Sequence, residues 1–324
     1  MNSLADKVYV HAKIHALHGV LLSEEDYQEI ARSGKIHAAF PDILTERDAS
    51  DVVRTKEIVF RNQIKKFIRF IELNEFYSDF FRAFLLLFEL SNVKYLLLKA
   101  YGRAPLFPQW NDVSPYNILD NRFRETEISP DDLPALFAGT VFSEAMEFDE
   151  PPSYETIEAR IDLLALQNLL RFSGRLFPAD LKIFNDVLTR RIVSLKIAWD
   201  LRREAYAAPG FTQIDLIEAL HGAGIASRDI EPITKEIKGK IIGERSAAGE
   251  HEGGTGPFRP ELLVTRLFMS HVRKIFSKDF HSIRPVISYA WSLYYQILNL
   301  FMVIEGLHLG AGPDTIMRRL VCGV

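Results

Sequence analysis

VISYAWSLYYQILNLFMVI, residues 286–304, runs for nineteen residues without a charge. That is about the length needed to cross a bilayer, so its reading decides what kind of protein this is. A spanning helix gathers its aromatics at the two interfaces and keeps polar groups out of the hydrocarbon. Here Ser288, Ser292, Gln296 and Asn299 recur along the whole stretch, with Tyr289, Tyr294 and Tyr295 spread among them. A helix that is apolar on nearly every side yet carries scattered polar groups suits the interior of a helical protein, where each polar group finds a partner. Residues 286–304 are expected to form a core helix wrapped by protein.

Outward from this stretch the same grammar repeats. Long apolar-periodic runs begin near Glu75, Pro178 and Pro285, which are 103 and 107 residues apart, close to one third of the 324-residue chain. Each run is stopped by glycine and proline: Gly102 and Pro105, then Pro209-Gly210, then Gly310 and Gly312-Pro313. A middle helix is expected before each long one, at about Ser50–Phe70, Ser153–Phe172 and Pro260–Phe276. A short helix with a cap-like start is expected after each, at Ser129-Pro130-Asp131-Asp132, Thr212-Gln213-Ile214-Asp215 and Gly312-Pro313-Asp314. Ser23-Glu24-Glu25-Asp26 supplies a fourth such start, behind an N-terminal helix of about Asn2–Val20.

With little strict alternation of the strand kind, the chain reads as all-α, built from three similar helical subdomains. The units span 1–107 with the N-terminal helix, 108–209, and 210–324. One such unit cannot bury its apolar face alone, so the units must pack side by side. A closed or C-shaped arrangement would bring the N-terminal helix to the last short helix, Asp314–Leu320. Residues 243–258, with Glu250-His251-Glu252-Gly253-Gly254-Thr255-Gly256, read as a surface loop. Glu147–Pro152 reads as a charged turn that frees Ser153 to cap the next helix.

Composition narrows function. Lys+Arg 39 against Asp+Glu 43 gives a net charge of −4, and 48% of residues are hydrophobic. That balance excludes disorder and offers no positive excess for a dedicated nucleic-acid binder. A single cysteine, Cys322, makes neither an internal disulfide nor a cysteine zinc site, so the cytoplasm is the default compartment. The first residues lack the features of a secretory signal. No phosphate-binding glycine loop occurs, because the run at 253–256 continues into Pro257-Phe258 without a lysine. Gly222-Ala223-Gly224 and Gly310-Ala311-Gly312 read as helix stops. Asp131-Asp132 and Glu24-Glu25-Asp26 sit in first turns, where carboxylates favour the helix dipole. No catalytic, cofactor-binding or metal residue is assigned.

Two patterns remain open. His11, His15 and His18 stand at i, i+4 and i+7 on one helical stripe, the basis for an alternative reading as a helical metal-dependent enzyme. Lys13 between them opposes a cation, and no H-E-x-x-H base accompanies them; the plainer reading is a partly exposed face bonded to carboxylates or water. Arg54, Lys56, Arg61, Lys65, Lys66 and Arg69 form a basic stripe, either a solvated face or one that meets an acidic partner. An unrelated helical adaptor is a third possibility the repeat alone permits.

The ends of the long helices carry a resemblance. Glu89-Leu90-Ser91-Asn92-Val93-Lys94 matches Gln296-Ile297-Leu298-Asn299-Leu300-Phe301, with Arg191-Ile192-Val193-Ser194-Leu195-Lys196 between. This resembles the C-type stalk component of the V/A-type rotary ATPases, the relative of the eukaryotic d component, whose repeats carry E-x-x-N-[LI]-[RK] before a glycine stop and a short helix. The run Asn299–Gly306 followed by Gly312–Val321 looks like that family's last signature, and Tyr9–Ile14 is similar to its opening, with Lys13 for arginine. Gln296, Phe301 and Ser194 depart from the pattern. The resemblance implies a funnel with pseudo-threefold symmetry and no active site. Such a part is a central-stalk rotor subunit, joining the axle subunits D and F to the membrane proteolipid ring at the cytoplasmic face. Asparagines at the matched turns are expected to hold packing register through their amides.

Overall fold

The computed structural model describes residues 4–73, 77–103, 105–147, 154–172, 176–206, 220–222, 225–249, 260–276 and 282–321. Within these residues the chain is helical and has no strand. The N-terminal helix α1 covers Leu4–His18, and α2, Glu24–Ser33, opens on Ser23 in a reciprocal capping box with Asp26. Two short turns follow, α3 at Ile36–Ala39 and α4 at Glu46–Ala49. Then come α5 (Val52–Leu73), α6 (Ser78–Ala100), α7 (Leu133–Phe137), α8 (Tyr154–Phe172) and α9 (Pro178–Tyr206). The last are α10 (Ser227–Gly249), α11 (Pro260–Ile275), α12 (Arg284–His308) and α13 (Pro313–Met317).

The expected middle and long helices are therefore α5 and α6, α8 and α9, α11 and α12. They pack in a cycle: α6 lies on α8, α9 on α11, and α12 on α5, so each long helix rests on the middle helix that follows it in the order. The two ends of the chain meet as well, with α12 against α1 and α2, and α13 against α2. Aromatic rings join the long helices directly. Phe80 of α6 stands 5.9 Å from Phe184 of α9, and Phe84 of α6 stands 5.1 Å edge-on to Trp291 of α12.

Helix α12 contains the uncharged stretch and is long and apolar enough to cross a membrane, yet most of its apolar window is buried inside the protein. Several of its polar groups are partnered: Ser288 donates to the Val272 carbonyl at 2.8 Å, and Asn299 accepts from the Val321 N–H at 2.8 Å.

One expectation changes. Residues 243–249 belong to α10 and not to a loop, because Ile230, Ile233, Ile237 and Ile241 form a buried stripe. Burying four isoleucines outweighs the roughly 1 kcal/mol that each of Gly239 and Gly243 costs in a helix. Residues 250–258 lie outside the described residues, as do Thr212–Asp215, Ala223-Gly224, the end of the Glu147–Pro152 turn with Ser153, and Cys322. The start at Ser129 has its capping box with Asp132 and leads, through a 3-10 turn, into a short helix as expected, the five-residue α7.

Candidate functional site

The side chains singled out at the long-helix ends act on backbone. Asn92 accepts the Asn111 N–H at 2.6 Å and donates to the Asn111 carbonyl at 2.8 Å, while the Asn111 amide donates to the Phe88 carbonyl. Asn299 treats Val321 in the same way through its Oδ1. The expectation that these amides hold register is refined by this geometry: each clamps the chain that returns after the helix stop. The stops match too. Gly102 and Gly310 both have φ near 67°, and the residue after each donates to the carbonyl five back, Leu98 and Gly306 respectively.

One turn earlier, Glu89 is buried and accepts the Ile118 N–H at 2.9 Å and the Leu119 N–H at 3.3 Å. Burial pushes its carboxyl up to about 7, against the pull of those two N–H groups. Gln296, at the matching place, accepts the Leu22 N–H at 2.6 Å and donates to Gln63 at 2.9 Å. The departure from acid to amide keeps the backbone clamp and drops the titratable group.

Between the three long helices lies a cavity of about 250 Å³. Lys94 of α6 reaches across to α8, meeting Asp162 at 2.8 Å and Glu158 at 3.2 Å. Burial acts to lower the Lys94 ammonium, but the two carboxylates override it and hold it above the usual lysine range. Arg191 of α9 faces the same space, as do Ser194, Trp199 and Trp291. Lys94 and Arg191 were visible as motif positions. Glu158 and Asp162 were missed, although two carboxylates at i, i+4 on one helix face repel each other and signal a cation opposite.

The histidines divide, His11 lying in the core while His15 and His18 stay partly exposed as the plainer reading expects. The His11 ring is buried edge-on to Tyr77 at 6.1 Å, while His15 and His18 lie against Phe276 at 4.8 and 3.8 Å. Burial, His15 and Arg273 together hold His18 below the usual histidine range. Among the described residues no group of three His, Cys, Asp or Glu side chains is arranged to hold a metal ion. The basic stripe also divides. Lys56 is buried, paired to Glu305 at 2.6 Å and 5.4 Å over the Phe301 ring, whereas Arg54, Arg61, Lys65, Lys66 and Arg69 lie toward the surface. Asp131 and Asp314 sit exposed in first turns, and Asp215 lies outside the described residues.

The family model of the ATP synthase (C/AC39) subunit matches residues 10–319. The chain belongs to that family. A search of curated proteins finds no match. In this chain the clamps at Glu89, Asn92, Gln296 and Asn299 give the matched helix ends their physical form. As a member it is a component of an ATP synthase assembly, associated with a membrane complex.

Proposed function

We propose that the chain is the non-catalytic central-stalk rotor subunit of a V/A-type ATPase or ATP synthase, linking the axle subunits D and F to the membrane proteolipid ring. The observation that carries this reading is the cyclic packing of α6 on α8, α9 on α11 and α12 on α5. A part that turns with an axle needs to resist twist about one axis, and a closed cycle of helices has no free seam at which to open. Packed interiors transmit strain, and the aromatic contacts between the long helices make this one stiff. The same cycle supports three units, 1–107, 108–209 and 210–324, around a pseudo-threefold axis as a funnel. Its place is the cytoplasmic face, peripheral on the membrane through the complex. The starts near Asp131, Asp215 and Asp314 are assigned to the mouth that receives the axle.

The metal-enzyme alternative draws no support from the histidine stripe, whose rings pack on Tyr77 and Phe276. Purified complexes with and without the chain test the rotor reading. Without it, ATP hydrolysis by the head is expected to persist while ATP-driven ion transport stops, returning when the chain is added back. Ion transport that continues undiminished without the chain would overturn the assignment.

A further inference from the structure

Two donors in the central cavity are left unused. The Arg191 guanidinium lies 5.7 Å from the ring centres of Phe268 and Trp291 and 6.0 Å from that of Tyr295, so aromatic rings surround it. Its Nε is buried and makes no hydrogen bond. One turn on, Ser194 is 1% exposed, and its Oγ likewise has no partner. Both line the same cavity of about 250 Å³. Asp162 and Glu158 on that lining are bonded to Lys94, and Asp162 feels the Arg191 charge without a hydrogen bond to it. Ser194 also stands where the first and third units have Asn92 and Asn299, both spent on backbone groups; the smaller side chain here leaves its hydroxyl facing the space.

We propose that this cavity is an oxyanion site, taking a single phosphate or carboxylate group that accepts hydrogen bonds from Arg191 and Ser194. A guanidinium presents paired N–H donors that match two oxygens of such a group. The rings around Arg191 shield its guanidinium on their side, which strengthens a charge-assisted bond from it. One bridging water needs only about 10–15 Å³ and leaves most of the cavity unfilled. Glu261 lines the space too, and it limits the ligand to one small anionic group of modest affinity. The group comes either from a free anion or from an acidic side chain of a docked partner.

The test is a titration of the full chain with inorganic phosphate at constant ionic strength, with chloride as the balancing salt. It is followed by indole emission, because Trp199 and Trp291 line the cavity, and by thermal unfolding. A saturable response with a rise in Tm is expected. Arg191→Gln is expected to weaken binding at least tenfold. Ser194→Ala should weaken it several-fold while raising Tm in phosphate-free buffer, since it deletes an unsatisfied buried hydroxyl. If Arg191→Gln fails to fold, Ser194→Ala alone decides. A response that never saturates, or that is unchanged in both variants, overturns the site. Repeating the titration in the assembled complex separates the sources: a retained response identifies a free anion, and a blocked one identifies a partner's side chain already seated there. None of these readouts depends on rotation, so failure here leaves the rotor reading standing.

Discussion

Glu89 and Gln296 perform one task with and without a charge. Both are buried at matched turns and both accept backbone N–H groups, but only Glu89 titrates. Its folded-state carboxyl stands at about 7, above the ordinary 4.5, because burial disfavours the anion. The stability it contributes is therefore fully present below about pH 4.5 and is lost as pH rises through about 7, on the order of 3 kcal/mol in all. Glu89→Gln, which copies the arrangement at Gln296, is expected to remove that fall. Urea unfolding of both proteins from pH 5 to pH 8 checks this: the variant gains on the parent as pH rises. Parallel curves would show that Glu89 is not the titrating group. The sequence marked these positions but not their partners. Ile118 and Val321 contribute only backbone groups to the clamps from Glu89 and Asn299, and Asn92 likewise bonds the backbone of Asn111, so no residue signature marks these partners.

At the scale of elements, α12 and α13 meet at Gly306. A Cβ added there would lie 2.8 Å from Cγ1 of Ile316, which is itself 1% exposed and has nowhere to move. Gly306→Ala is expected to destabilise the protein by about 1–3 kcal/mol, as overpacking does. Ile316→Ala in the same chain should recover part of that loss, so the double variant costs less than the two singles added. Simple additivity in chemical denaturation would contradict the close approach. The order of middle and long helices was legible because apolar periodicity, glycine stops and proline starts all agree at 178–206, 260–275 and 284–308. Helix α10 was not. The stretch from Gly243 read as a loop, and the isoleucine stripe of the preceding turns, on a helix packed against α9, carries the helix through Gly249 instead.

For the whole molecule the decisive seam is where α12 returns to α5. Lys56 of α5 and Glu305 of α12 close it, with Lys56 also donating to the Phe107 carbonyl at 3.3 Å. Lys56→Met is expected to cost about 1–3 kcal/mol, below the figure for a fully buried pair because Glu305 keeps about a third of its exposure. Adding Glu305→Leu should restore most of it, as measured by thermal unfolding; a double variant as weak as the single would mean that the pair is not what closes the seam. At the assigned mouth, reversing the charge of Asp131, Asp215 and Asp314 together is expected to weaken axle binding, and unchanged binding of D and F would remove those starts from the interface. The order of middle and long helices was readable from spacing, whereas their cyclic packing was open at that stage, a closed or C-shaped arrangement being only one outcome, since a repeat is equally compatible with an open stack. The most direct measurement is an affinity capture of the tagged chain from native membranes in mild detergent, with co-purifying proteins identified by mass spectrometry. Recovery of the proteolipid together with the axle and head subunits is the predicted result. Recovery of the chain alone, or with unrelated soluble proteins, would contradict a rotor part between axle and ring.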